Sequence, residues 1–300
     1  VAVPASLTVA RDLARVGYEI DLLDDQPLAG RFMRSQIPVF RLPPEVLDEE
    51  VGFVLQLGIK QHFRHYVDSL GAVLEKDYDA IFVGTGAPRG SDLSIPGREE
   101  AGKHIHIGID WLASVAFEHL SKVGRRVLVL GGGNTAMDCC RTARRLGGED
   151  VRVVVRSERA KMKASPWEID DAIAEDIPII NNHVPKEFVH ENGKLTGVRF
   201  TVVDVIYGDG GERKLVPTGE EVFFEADDVI IAIGQDNAFP WIERDIGLEF
   251  GKWDMPVIDP VTFQSTNPRV FFGGDAAFGP ENIITAVAHG HQAAISMDRF

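Results

Sequence analysis

Cysteine is nearly absent from this sequence: the 300 residues contain two, Cys139 and Cys140, and they are neighbours. Adjacent thiols exclude a disulfide framework, a cysteine-rich zinc site, an iron–sulfur cluster and a Cys-x-x-Cys redox pair held within this chain. Long apolar runs are also missing, since none approaches the roughly 20 residues that cross a bilayer. No charged leader followed by an apolar stretch opens the sequence, so no signal peptide is expected. Basic charge is scarce: 31 basic against 46 acidic residues leave a net charge of -15. Such a surface repels phosphate backbones and anionic lipid, which argues against nucleic-acid and membrane partners. Neither a Gly-x-Ser-x-Gly elbow nor a Walker loop occurs, so hydrolase and ATPase chemistry has no support. A reducing cytoplasm is the expected compartment. The sequence starts at Val1 without Met, in what reads as a strand, and is expected to be a fragment.

What is present is ordinary in bulk and patterned in detail. Apolar residues make up 44% and charged residues 26%, normal for a globular protein with room for two domains. Short β-rich runs alternate with helical stretches, the pattern of parallel α/β sheets. Residues 19–23, 78–83, 126–130, 151–155, 228–233 and 270–272 read as strands. An amphipathic helix carrying Leu7, Ala10, Leu13 and Ala14 on one face precedes the first of these and stops at Gly17. Residues 192–225 alternate apolar and polar side chains around Asn192-Gly193 and Asp209-Gly210, which predicts an antiparallel meander. Arg11, Arg15 and Gly17 recur at one constant offset as Arg141, Arg145 and Gly147, and Ser6 falls opposite Ala136. Two copies of a strand–turn–helix–strand unit predict two dinucleotide sites.

The strongest signal is Gly131-Gly132-Gly133-Asn134-Thr135-Ala136, which follows an apolar strand and opens a helix. This is the Gly-x-Gly-x-x-Gly/Ala fingerprint in its required context. The first glycine permits the tight turn, the second admits a pyrophosphate, and the small last residue lets helix and strand close up. The helix N-terminus offers unpaired N–H groups and partial positive charge to the phosphates. Arg156 ends the next strand, with Ser157 and Arg159 behind it, where an NAD site places an acid; this favours NADPH over NADH. Cys139 and Cys140 lie on the helix behind the turn, whose inward face is Ala136, Cys140 and Ala143, and read as small core residues. The histidine pairs His62/His65, His104/His106 and His289/His291 lack an evident third ligand, so no metal site is expected. The acid pairs Glu49-Glu50, Glu99-Glu100 and Asp170-Asp171 read as solvated faces.

Near the carboxyl terminus, residues 270–294 read VFFGGDAAFGPENIITAVAHGHQAA. An apolar strand delivers Gly273-Gly274-Asp275, whose carboxylate can accept hydrogen bonds from a polyol, and a helix begins near Asn282. With the GGGNTAMD turn, the stretch MRSQIPVFRLP (33–43), VGTGAPRG (83–90) and KMKAS (161–165), this segment resembles the pyridine-nucleotide reductase superfamily. The resemblance covers nearly the whole chain in the same motif order, in the version carried by glutamate synthase small subunits. It implies two Rossmann-like, three-layer domains with FAD and NADP (or NAD) as cofactors. The FAD domain would comprise residues 1–97 and 237–300, and the NAD(P)H domain, residues 98–236, would be inserted in it. It implies that Asp275 holds the ribityl chain, that Asn282, Ile283 and Thr285 lie near the flavin ring, and that Asp24 meets the adenosine ribose. Gly30, Arg31, Arg34, Gly84, Thr85, Gly86, Gly234 and Gly274 complete the implied cofactor contacts. Hydride would pass from NAD(P)H to FAD without a side-chain acid or base. An iron–sulfur protein or larger catalytic subunit would be the electron partner in a hetero-oligomer.

The sequence departs from that group at its first turn, where Val1 and Val3 occupy the places of Gly131 and Gly133. A β-branched residue there is expected to block a positive φ and crowd a pyrophosphate. Either residues are missing between Val3 and Pro4, the favoured expectation, or the turn has been lost. Arg31 replaces the second of two glycines, and a cysteine-rich cluster domain is absent from the chain. Two alternatives follow: a nucleotide-binding structural or regulatory subunit that has lost FAD, and a stand-alone NAD(P)H-dependent flavin reductase.

Overall fold

A computed structural model describes residues 2–208 and 212–300; Val1 and the expected Asp209-Gly210 turn lie outside them. The elements used below are, in chain order, α1 (Pro4–Arg15), β1 (Asp21–Leu23), β2 (Lys60–His62), α2 (Leu70–Leu74), β3 (Ile81–Val83), β4 (Ile105–Ile107), α3 (Gly108–Ala116), β5 (Arg126–Leu130), α4 (Asn134–Arg145), β6 (Asp150–Val154), α5 (Pro166–Ala174) and β7 (Ile179–Ile180). They continue with β8 (His183–Glu191), β9 (Lys194–Tyr207), β10 (Arg213–Glu225), β11 (Asp228–Ile231), β12 (Val270–Phe272), α6 (Asp275–Phe278) and α7 (Ile283–Arg299). The chain divides into two compact units, one of Val1–Arg34, Val39–Arg89 and Gln235–Phe300, the other of Ser35–Pro38 and Gly90–Gly234. The second begins ahead of residue 98 because Leu93 and Ile95 pack on its core and the Pro96 carbonyl accepts from Phe188 N–H at 2.9 Å.

In the second unit a parallel sheet runs in the order β4-β11-β5-β6-β7. Its strands are β-branched and apolar without alternation, the composition of a sheet covered on both faces. The period of two sorts them: Val127, Val129, Val151 and Val153 face α3, α4 and α5, sharing a core with Trp111, Met137 and Ile169. Leu128, Leu130, Val154 and Val229 face the other way, against Phe188, Phe200 and Leu195 of the antiparallel sheet β10-β9-β8. Three layers result. The meander is longer than expected, starting at His183, because β8 pairs with β9 across the Asn192-Gly193 turn.

The first unit holds two separate parallel pairs, β1 with β2 and β3 with β12. Helices α1 and α7 lie so close that a Cβ on Gly290 would come within 2.6 Å of the Ala5 carbonyl. Around them Val9, Leu13, Phe263 and Ala293 form one core, and Phe239, Leu248, Val270 and Phe272 another. Ala2 and Val3 do not form the expected strand end; Val3 caps α1, with its carbonyl accepting from Leu7 N–H at 2.9 Å. The helix grows directly from Val3, and Pro4 sits at the first helical position, where its missing N–H costs no hydrogen bond.

Candidate functional site

The second unit's turn is built as the sequence predicts. Gly131 has φ +145, and a Cβ there would stand 2.1 Å from the Ala232 carbonyl at the end of β11. No side chain fits, so glycine is required for strand and turn to approach. Gly132 is held by its carbonyl, which accepts from Lys163 N–H and Ala164 N–H, each at 2.9 Å. Gly133 differs from both. Its backbone is extended (φ -102, ψ 177), and a Cβ would meet nothing within 4 Å. The fold gains nothing from a glycine here, and the open space lies over the start of α4. Ala136 and Met137 donate back to the Gly133 carbonyl at 3.0 and 3.3 Å. The N–H groups of Asn134 and Thr135 have no acceptor among the described residues, which leaves an anion-sized cluster of donors.

Asn134 itself points elsewhere: its Oδ1 accepts from Ser165 N–H at 2.8 Å. It braces the turn against the 161–165 loop, a role for Ser165 that sequence reasoning missed although it singled out that run. Arg156 is exposed at the end of β6, and Arg213 reaches the same place, its Nη2 lying 3.4 Å from the Arg156 carbonyl. Arg213 was also missed, because the approach of β10 to a strand end is not written in local pattern. Arg159 is paired with Asp170 at 3.3 Å. Gly234 has φ +151 and accepts from Ser91 N–H at 3.0 Å, a structural turn after β11. Cys139 and Cys140 are fully buried; burial pushes the Cys139 thiol well up and that of Cys140 up to about 12, so neither supplies a thiolate at neutral pH. Below the turn Arg141 sits among Glu168, Asp171 and Glu175 at 3.2, 3.1 and 3.0 Å.

In the first unit Val3 repeats the backbone of Gly133 and not its open space. Val3 has φ -114 and ψ 170, close to Gly133, so valine at this position meets no φ penalty; Val1, opposite Gly131, lies outside the described residues. The Val3 side chain is 5% exposed, and an isopropyl group fills the place that Gly133 leaves clear. Ser6, opposite Ala136, lies against β3: its Oγ is 3.4 Å from the Gly84 carbonyl, and a Cβ on Gly84 would meet that oxygen at 2.3 Å. Asp24 does not present a free carboxylate, since Oδ2 accepts from Ala2 N–H at 2.6 Å and Oδ1 from Gln26 N–H at 2.9 Å. Gly30 has φ +104 and donates to the Ala2 carbonyl at 2.8 Å. Arg31 pairs with Asp25 and approaches Asp24 at 3.8 Å, while Arg34 pairs with Asp48 at 2.7 Å.

The other implied flavin contacts gather around α1. Gly274 has φ +61, and a Cβ there would touch Ala5 at 3.2 Å, so the Gly-Asp segment abuts the first turn of α1. Burial raises the Asp275 carboxyl to about 6, opposed by a hydrogen bond from Glu281 N–H. Asn282 caps α7 by accepting from Thr285 N–H at 2.8 Å and Thr285 Oγ1 at 3.1 Å, and Ile283 opens that helix. Gly86 (φ +70) leaves no room for a Cβ beside Phe32. The Thr85 hydroxyl is buried with no partner, as are His289 Nδ1 and Asn237 Oδ1, which sequence reasoning did not single out as orphans. An unsatisfied buried hydroxyl costs free energy until something supplies its hydrogen bond. These orphans, Asp275 and the α7 N-terminus suit a hydroxylated, ring-bearing cofactor; Val3 is the feature that opposes it.

Among the described residues no group of three or more metal-ligating side chains is arranged for a metal, and no helix is long and apolar enough to cross a membrane.

Two α/β units, the second carrying a complete glycine turn at the start of a helix, define a two-dinucleotide oxidoreductase architecture. The chain belongs to the pyridine nucleotide-disulphide oxidoreductase family, which it matches over residues 2–290. It is 35% identical over 304 residues to the NADP(+)-dependent formate dehydrogenase subunit beta of Moorella thermoacetica, covering 99% of this chain and 42% of that protein. It is 33% identical to the glutamate synthase [NADPH] small chain of Halomonas elongata, covering 97% of this chain and 64% of that one. The chain thus spans well under two thirds of the first of these relatives. FprA of Mycobacterium tuberculosis, solved in complex with NADPH, shares the fold: TM-score 0.79 at 17% identity, covering 99% of this chain and 82% of that one.

Proposed function

We propose that this chain is the FAD- and NADPH-binding part of an electron-transfer oxidoreductase, and that it works with an iron–sulfur or larger catalytic subunit. The observation that carries the reading is Gly133: an extended, uncrowded position over a helix N-terminus whose glycine serves no folding purpose. NADPH is the favoured nucleotide because Arg156 and Arg213 bring two cationic groups to the end of β6, where an NAD site would need an acid. In this reading the α4 N–H groups and the Gly132 segment take the pyrophosphate, with Asn134 and Ser165 keeping the turn in place. Asp275, Thr85 and the start of α7 hold FAD in the other unit. Bound FAD supplies a two-electron acceptor for the hydride that NADPH carries. The protein's contribution is orientation and exclusion of water, and none of its acids or bases is asked to move a proton. The relatives named as NADPH-dependent subunits of larger enzymes support the hetero-oligomeric part of the proposal.

A second reading keeps the nucleotide site and drops the flavin. It is favoured by Val3, by the committed carboxylate of Asp24 and by the pairing of Arg31 and Arg34 with acids. The absorbance spectrum of the purified protein separates the two. Rapid anaerobic mixing of flavin-loaded protein with NADPH and with NADH then tests the first: bleaching is expected, faster with NADPH, and its absence with both nucleotides refutes the proposal.

A further inference from the structure

The loop that leaves β6 wraps the glycine turn of the second unit. A Cβ on Gly132 would meet Val155 at 2.8 Å and Met162 at 3.5 Å, so both ends of the loop lie against that residue. Lys163 and Ala164 close the wrap by donating to its carbonyl. Residues 156–161 therefore stand beside the cradle, past the end of β6, where a dinucleotide-binding unit meets the adenosine ribose. They carry charges of both signs. Arg156 and Lys161 are exposed cations with no carboxylate partner among the described residues, and the half-buried acid Glu158 lies between them in sequence. A carboxylate free to turn at that place would accept from the hydroxyls of an unphosphorylated ribose, and it would repel a 2′-phosphate.

Glu158 is not free to turn. Tyr207, the last residue of β9, donates its phenol hydrogen to Glu158 Oε1 across 49 residues of sequence. The carboxylate in turn pushes the Tyr207 phenol above its usual pKa, so the donor keeps its proton. Lys161 Nζ lies 6.0 Å from the centre of the Tyr207 ring, within cation–π reach. Across the ladder Tyr207 is paired with Arg213, and Arg213 Nη2 lies 3.4 Å from the Arg156 carbonyl. The end of the β9–β10 hairpin is thus tied to the loop at Arg156, Glu158 and Lys161. Tyr207 is 47% exposed, and a hydrogen bond in such a place contributes little to stability. What it fixes is the direction of one carboxylate. We propose that Tyr207 is a specificity-determining residue. By holding Glu158 against the hairpin it keeps a negative charge away from the adenosine ribose, and it leaves Arg156, Lys161 and Arg213 to receive a 2′-phosphate. The inference rests on the NADPH reading above and deepens it: the preference comes from removal of a repulsive group as well as from the cations.

The test measures dissociation constants for NADPH and for NADH by calorimetry on the parent chain, Tyr207→Phe, Glu158→Gln and the double variant. Phenylalanine removes one hydroxyl from an exposed ring, and thermal unfolding of the same preparations confirms that the fold is kept. Tyr207→Phe is expected to weaken NADPH and not NADH, lowering the preference for NADPH roughly 10-fold, the scale of a carboxylate brought beside a phosphate. In the Glu158→Gln background the same change should leave the preference unmoved, because no charge remains to be released. A structural role alone would weaken both nucleotides together, whichever residue stands at 158. That outcome overturns the proposal, as does an unmoved preference in Tyr207→Phe or a shift that persists beside Glu158→Gln. A parent chain with no affinity for either nucleotide removes the cofactor reading and this inference with it. A parent that binds NADPH, with Tyr207→Phe showing the same preference, removes the inference alone.

Discussion

Replacing Gly133 with valine separates binding from folding. The residue has φ -102, an angle any residue adopts, and a Cβ would meet no heavy atom within 4 Å. Valine is a poorer N-cap than glycine by about 0.5–1 kcal/mol. Loss of glycine's freedom in the unfolded chain returns about 0.4–1 kcal/mol. The net change in stability is therefore within about 0.5 kcal/mol, and Val3 shows that the same backbone carries this side chain. Binding responds differently, because the two γ-methyls occupy the space over the α4 N–H groups. Forcing a ligand past such bulk costs about 1–3 kcal/mol, roughly a 5- to 150-fold rise in Kd. The assay is NADPH titration by calorimetry beside thermal unfolding of the same preparations. Gly131→Ala is the contrasting control: with φ +145 and a Cβ 2.1 Å from the Ala232 carbonyl, it should unfold the second unit. A Gly133→Val protein that folds and binds NADPH as tightly as the parent would show that this turn is not the cradle.

Three more outcomes are expected. Val3→Gly should raise the flavin-to-protein absorbance ratio while lowering stability by about 2 kcal/mol, the loss of a buried valine; an unchanged or lower ratio contradicts the crowding argument. Asp275, with its folded pKa raised to about 6, binds more protons folded than unfolded. Its contribution is therefore full below the unfolded pKa near 4 and is lost as pH rises through 6, so flavin-free protein should lose up to about 2 kcal/mol of stability between pH 4 and pH 6. Asp275→Asn should flatten that segment of the urea-stability profile, and a profile identical to the parent's contradicts the assignment. Arg141→Met leaves Glu168, 4% exposed, without its cation and should cost about 3–5 kcal/mol in chemical denaturation. Adding Glu168→Gln should recover part of that loss, and a single variant as stable as the parent contradicts the network's role.

Local chemistry makes much of this protein legible in its sequence. Residues 126–136 announce strand, turn and helix because each feature is a short-range constraint: an unbroken apolar run, a glycine where φ is positive, a small residue where a helix must meet a strand. The alternation that predicts the meander and the apolar strand before Gly273 are of the same kind, and so is the Gly17 stop of α1. Tertiary approach decided what sits beside each of these. Asn134 turns to Ser165, Asp24 to Ala2, Arg31 to Asp25, and Arg213 arrives beside Arg156. A side chain's partner depends on which distant backbone comes within 3 Å of it, and no periodicity encodes that distance. The same holds for Val3 at the first turn: the sequence warned of a glycine missing, and only the backbone angles showed that Val3 itself sits without strain.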